Sequence, residues 1–217
     1  MGTPTHFAYP IVLNLSGRRA LVVGGGEVAL RKARALADAG AHVRVVAPKL
    51  APGFAEDGRF ECVAARYEKQ HLEGALVAVA ATDDEAVNCR VAEDARAADV
   101  LVNVVDRPEL CDFIVPAQVR RGDLLIAVST GGAAPALAKR LRERLEKEFG
   151  PEYETYLAVL REVREDLKKR NVAPDLRRRI FERLTEDDIV DAARRGADAL
   201  STAVAAAVAK AIGEARG

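Results

Sequence analysis

Cysteine is sparse in this chain of 217 residues: Cys62, Cys89 and Cys111 stand far apart, with no C-x-x-C spacing. That excludes a disulfide framework and a thiolate zinc site, and a reducing, cytoplasmic setting is expected. Net charge is lacking too. With 33 basic and 33 acidic residues, no global field recruits nucleic acid or an acidic membrane, so an anionic partner must be held by a local cluster. No apolar run is long enough to span a bilayer; the longest candidate, residues 197–212, is mostly alanine and carries Asp198 and Lys210, and is expected to be a soluble helix. The first six residues lack the basic and apolar regions of a signal peptide. Histidine is scarce: His6, His42 and His71 fall in a tail, a strand and a polar loop, so no Ser/His/Asp or Cys/His constellation is evident, and no metal site is expected.

What is present is organised around residues 20–40, ALVVGGGEVALRKARALADAG. A short apolar run, Leu21 to Val23, stops at three glycines, and from Glu27 the periodicity becomes helical, with Val28, Ala29, Ala33, Leu36 and Ala37 on one face. This is strand, tight turn, helix. The spacing Gly24-x-Gly26-x-x-Ala29 fits the dinucleotide fingerprint: Gly24 permits the turn, Gly26 has no Cβ to keep a pyrophosphate away, and Ala29 lets helix and strand pack closely. The free N–H groups of the first helical turn would face the anion. Gly40 ends the helix, and HVRVVA, residues 42–47, follows as the second strand of a βαβ unit.

Further along, residues 60–65 read as a third strand, 76–81 and 100–105 as continuous apolar strands of a parallel sheet, and 11–15 as a short edge segment. Thr82 with Glu85 three residues on suggests a capping box, leaving open whether Thr82 and Asp83 only cap the helix or also sit beside a nicotinamide ribose. Residues 124–128 form another extended run before a helix with Pro135 in its first turn, in which Leu137, Leu141 and Leu145 are expected to face a core. After Pro151 arginine, glutamate, leucine and alanine dominate, predicting short helices packed on a partner. The length suits one main α/β core, a Rossmann-type parallel sheet, with a smaller appended domain.

In such a sheet ligands gather at the carboxyl ends of the strands. That rule selects residues 24–28, Pro48 and Lys49, Thr82 and Asp83, Asp106, and the turn Ser129, Thr130, Gly131 and Gly132. An acidic residue able to bind the ribose hydroxyls of NAD is missing after the second strand, where Pro48 and Lys49 stand, so these residues leave NAD against NADP open. Asp106 ends a long apolar strand; there it is a candidate base, partly desolvated, or else a cap of the next turn. The Ser129 turn precedes a helix and is suited to an anion or to capping alone, with Arg107, Arg120, Arg121, Lys139 and Arg140 as a nearby basic set.

Taken together, Tyr9-Pro10-Ile11, Gly17-Arg18, the block 22–29 followed by Arg31-Lys32-Ala33, then Ala80-Ala81-Thr82-Asp83-Asp84, Asn103-Val104-Val105-Asp106, Phe113-Ile114-Val115-Pro116 and Val128-Ser129-Thr130-Gly131-Gly132 resemble the precorrin-2 dehydrogenase and sirohydrochlorin ferrochelatase module of siroheme synthases. The resemblance covers roughly residues 7–150. It implies an NAD-dependent loss of hydrogen from precorrin-2 to give sirohydrochlorin, and insertion of ferrous iron as a possible second step. It also implies a homodimer. The family's essential aspartate falls on Asp106, its cofactor contacts fall on Gly24, Gly26, Glu27, Val28, Pro48 and Lys49, and Ser129 to Gly132 would meet substrate carboxylates, with a hydroxyl retained at Thr130. The implied organisation is a dinucleotide-binding domain over residues 1–115, a dimerisation region over 116–150 and a helical domain over 151–217. Upstream methylation is expected of another protein.

Two rivals use the same glycines. One is an NAD-sensing regulatory module without turnover, which has no need of Asp106 at the strand end. The other, a carbonyl reductase, would show Tyr-x-x-x-Lys, and Tyr67, Tyr153 and Tyr156 have no lysine at that offset.

Overall fold

The computed structural model describes residues 9–214, and the chain divides between Val115 and Pro116 into two compact units. In the first, the apolar runs become five strands, β1 (Arg19–Val23), β2 (His42–Val46), β3 (Phe60–Val63), β4 (Ala75–Ala80) and β5 (Leu101–Val104). All pair in parallel in the order β3-β2-β1-β4-β5. Helices α1 (Glu27–Asp38), α2 (Pro52–Asp57) and α3 (Glu85–Ala97) make the crossovers. Both faces of the sheet are covered, which is why its central strands read as unbroken apolar runs. One face buries Leu21, Val23, Val46, Ala78 and Val102 with Val91 of α3; the other buries Val22, Val43, Val45, Val77 and Val79 with Ala29, Leu30 and Ala33 of α1. The Rossmann-type sheet expected from the sequence is present.

Three local expectations are corrected. Residues 11–15 form no edge strand; Asn14 Oδ1 accepts the Ser16 N–H at 3.1 Å, a local turn bond in place of a ladder, and of these residues only Leu15 is buried. Helix α3 is capped by Asp84, whose carboxylate accepts the Val87 N–H at 3.2 Å, and not by Thr82. Leu137 is 48% exposed, because the inward face of its helix is set by Ala138 one residue on.

The second unit opens with an antiparallel ribbon, β6 (Ala117–Arg121) and β7 (Leu124–Val128). β6 had no apolar run to announce it, and its one buried residue is Val119. Five helices follow: α4 (Pro135–Glu148), α5 (Glu152–Lys169), α6 (Pro174–Leu184), α7 (Asp187–Arg195) and α8 (Ala197–Glu214). The helices after Pro151 do not depend on a partner for their core. Tyr156 and Leu160 of α5, Ile180 and Leu184 of α6, Ile189 of α7 and Leu200 and Val204 of α8 bury one another. The Tyr156 hydroxyl donates to Leu184 O at 2.7 Å inside this cluster. Tyr156→Phe leaves that carbonyl unpaired, and chemical denaturation is expected to show a loss of about 1 kcal/mol with the denaturant slope unchanged. No helix among the described residues is long and apolar enough to cross a membrane.

Candidate functional site

After β1 the chain goes to β2 and β3 on one side of the sheet and to β4 and β5 on the other, so the strand order reverses between β1 and β4. The register aligns the strand ends there: Val23 lies opposite Val46 and Ala80, and Ala80 opposite Val104. The ladder extends one residue further, Gly24 N–H donating to Val46 O at 3.0 Å, Ala81 N–H to Val23 O at 2.8 Å and Val105 N–H to Ala80 O at 2.9 Å. The loops that follow therefore leave the sheet side by side. They carry Gly24, Gly26, Glu27 and Val28 after β1, Pro48 and Lys49 after β2, Thr82 and Asp83 after β4, and Asp106 after β5.

The three glycines differ in what a side chain would meet. A Cβ on Gly24, whose φ is 139°, would lie 2.3 Å from Ala81 O. A Cβ on Gly25 would lie 1.8 Å from Lys49 O. Gly25, given no role of its own in the sequence reading, thus lets the loop after β2 seat itself on the turn, where Ala51 N–H also donates to Gly25 O at 2.8 Å; the unbroken run of three glycines was its only signal. A Cβ on Gly26 would meet nothing within 4 Å. Gly26 is therefore not demanded by protein packing, and the space over it is open to a ligand. No side chain caps α1, and the first N–H to bond backward is that of Leu30, to Gly26 O at 3.0 Å. The preceding N–H groups are left to face the same space. Glu27 is exposed there and Val28, though apolar, is 38% exposed. These residues suit a dinucleotide, with the pyrophosphate over Gly26 and the helix N-terminus.

At the end of β4, the buried Asn88 of α3 holds the loop: its Oδ1 accepts from the Thr82 N–H at 3.3 Å and hydroxyl at 2.8 Å, and its Nδ2 donates to Thr82 O at 2.9 Å. The Thr82 hydroxyl, also facing Asp84, is thereby engaged within the loop, while Asp83 is exposed. Asn88 was missed in the sequence, where it is one more polar residue of a helix; only its place on the inward face marks it. Pro48 and Lys49 are both exposed.

Asp106 sits in a tight turn. The Arg107 N–H donates to Val104 O at 3.3 Å, and Asp106, third of the four residues, has φ 60°. This is the left-handed conformation that a type II turn requires at that position, where glycine is favoured and aspartate tolerated. The carboxylate is exposed and not partly desolvated as the sequence suggested, because β5 ends at Val104 and the turn carries it clear of the apolar run. It makes no side-chain hydrogen bond among the described residues, so it does not cap the turn. From α1, the half-buried Lys32 comes within electrostatic reach of it: burial and Arg31 push the Lys32 ammonium down, and Asp106 and Cys111 oppose that shift. Lys32 stands one helical turn beyond Val28, a position its sequence neighbours did not mark as functional. Arg107, counted in the basic set, is committed to Glu85 and Glu109.

Ser129, Thr130, Gly131 and Gly132 do not follow a strand of the parallel sheet. They follow β7 of the two-stranded ribbon in the second unit, since the run 124–128 pairs with β6 and not with the parallel sheet. Ser129 Oγ accepts the Gly131 N–H at 3.1 Å and Thr130 Oγ1 the Ala134 N–H at 3.2 Å. Gly131 and Gly132 have φ of 60° and 86° with open space around both. Arg120 of β6 and Arg140 of α4 have no acidic partner among the described residues, whereas Lys139 pairs with Glu143 at 4.0 Å.

Residues 11–117 match a family model described as NAD(P)-binding, and residues 121–148 one described as the central part of a sirohaem biosynthesis protein. A siroheme synthase of Azotobacter vinelandii is 45% identical over 94% of this chain and 46% of its own length; one of Methylobacillus flagellatus is 47% identical over 79% of this chain and 37% of its own. The chain spans about half the length of the curated relatives it matches. Among solved structures, one titled SirC, precorrin-2 dehydrogenase, superposes with a TM-score of 0.75 at 29% identity, covering 92% of this chain and 98% of its own. Sequence and fold together place the chain in the family of these siroheme synthases and this precorrin-2 dehydrogenase.

Proposed function

We propose that the chain is an NAD-dependent dehydrogenase that converts precorrin-2 to sirohydrochlorin in siroheme formation. The observation that carries this reading is the switch-point edge itself, where an open dinucleotide cradle at Gly26 and an uncommitted carboxylate at Asp106 lie on loops leaving β1 and β5, whose ends are brought into register by β4 between them. Bound NAD supplies a hydride acceptor. Gly24, Gly26, Glu27 and Val28 hold the dinucleotide, Pro48 and Lys49 border its ribose end, and Thr82 and Asp83 border the other end. Asp106 accepts the proton that leaves the substrate, a role open to a carboxylate with no competing partner. Substrate carboxylates suit the exposed backbone of Ser129, Thr130, Gly131 and Gly132 with Arg120 and Arg140. The exposed Leu125 of β7 and Leu137 of α4 support a homodimer made through the second unit. The free thiols of Cys62, Cys89 and Cys111 suit the reducing cytoplasm.

Asp106 can serve a second step in which ferrous iron, as substrate, displaces the pyrrole N–H protons of sirohydrochlorin. Anaerobic addition of NAD to purified protein with enzymatically generated precorrin-2 is expected to produce the sirohydrochlorin spectrum, with NADP slower, and iron then to give siroheme above the spontaneous rate. NAD binding without turnover would replace the dehydrogenase by the sensor module.

A further inference from the structure

We propose that Cys111 is a positioning residue for Asp106, its buried sulfur fastening both ends of the turn that presents the carboxylate. The inference rests on Asp106 being the base. Cys111 is 7% exposed. Its Sγ accepts the Val104 N–H at 3.1 Å and lies 3.6 Å from Asn103 Nδ2. The S–H faces two carbonyls, Val104 O at 3.2 Å and Arg107 O at 3.3 Å, and donates to one at a time. Val104 opens the turn and Arg107 closes it, so one sulfur grips the residues on either side of Val105 and Asp106. Burial pushes the thiol up, which keeps its proton available for donation.

The surroundings explain why a latch is needed. β5 is an edge strand, and residues 111–113 cover its free side in place of a sixth strand. Asp112 N–H donates to Val102 O at 2.8 Å, the Asp112 carboxylate accepts the Val102 N–H at 3.0 Å, and Asn103 Nδ2 donates to Phe113 O at 3.0 Å. Cys111 continues this pattern at Val104, the last residue of β5. Beyond it the backbone turns left-handed at Asp106, a conformation that persists in a non-glycine residue only when its neighbours fix it. Small displacements of a catalytic group are expensive in rate, so the sulfur acts on chemistry through the place it gives the carboxylate.

The test compares Cys111→Ala, Cys111→Ser and Asp106→Asn in the full chain. Cys111→Ala is expected to lower kcat by roughly tenfold to a hundredfold while the KM for NAD stays within about twofold, because the Gly26 cradle is on another loop. Cys111→Ser, which restores a donor and an acceptor, is expected to recover most of kcat. Amide exchange of Arg107, whose N–H closes the turn, is expected to accelerate in Cys111→Ala and not in Cys111→Ser. A Cys111→Ala enzyme with a lowered melting temperature but parental kcat below that temperature would overturn the proposal. If Asp106→Asn keeps full turnover, the assignment of the base has failed instead, and exchange at Arg107 alone then decides the latch: faster in Cys111→Ala supports it, unchanged overturns it.

Discussion

Asp106→Asn is expected to lower kcat by a factor of about 10²–10⁴, the usual worth of a positioned general base, with NAD affinity essentially unchanged. The asparagine keeps the size and the turn but cannot accept the proton. Stability distinguishes this residue from a structural aspartate. With φ at 60° and no side-chain hydrogen bond, Asp106 contributes nothing to its turn that glycine would not do better. Asp106→Gly should melt no lower than the parent, while Asp106→Ala, which keeps a Cβ in the left-handed region, should be less stable than the glycine variant by about 1 kcal/mol. All three should lose turnover. A position where glycine would be the most stable choice, yet an aspartate stands, is one held for its chemistry. Anaerobic turnover alongside thermal melting of the three variants checks both halves. Parental turnover by the asparagine variant would remove Asp106 from the mechanism, and a glycine variant melting below the parent would show that the carboxylate supports the turn.

The parallel sheet was legible because its signal is local: strands buried on both faces must be continuous apolar runs, and Leu21 to Val23 or Val77 to Ala80 admit few other readings. The placing of Gly26 and Asp106 at the same carboxyl edge, on the loops after β1 and β5, followed from the rule that ligands meet a parallel sheet at that edge. What escaped the sequence depended on pairing across distance. The run 124–128 has the composition of another parallel strand, and only its partner β6, a segment with one buried residue, puts it in a separate ribbon. The Ser129 turn accordingly follows a strand of that ribbon and not one of the parallel sheet. Asn88, Lys32 and Cys111 escaped for a related reason. Each is a polar or weakly polar residue whose role comes from a loop it faces, and nothing at i±4 announces that loop. The cap of α3 moved from Thr82 to Asp84 because Asn88 engages the threonine hydroxyl.

Alanine placed at each glycine of the turn should separate packing from ligand binding. At Gly24 the new Cβ would lie 2.3 Å from Ala81 O, and at Gly25 it would lie 1.8 Å from Lys49 O. Both obstacles are backbone, fixed by the ends of β4 and β2, so relief requires the loops to part. Overpacking of this kind costs about 1–3 kcal/mol, and at Gly24 the positive φ adds about 1–2 kcal/mol. Gly24→Ala is therefore expected to be the least stable of the series, close to unfolding a marginal domain. Gly26→Ala should behave in the opposite way. With no atom within 4 Å of its Cβ and an extended backbone at the N-cap, its stability should change by less than about 1 kcal/mol. Its NAD affinity should nonetheless fall by about a hundredfold, or about 2.7 kcal/mol, because the methyl group occupies the place where the pyrophosphate approaches the backbone. Melting curves with and without NAD, together with calorimetric titration of NAD, read both quantities on the same samples. A Gly26→Ala protein that binds NAD like the parent would mean that the dinucleotide does not cross this turn, and would leave the open space over Gly26 without an occupant.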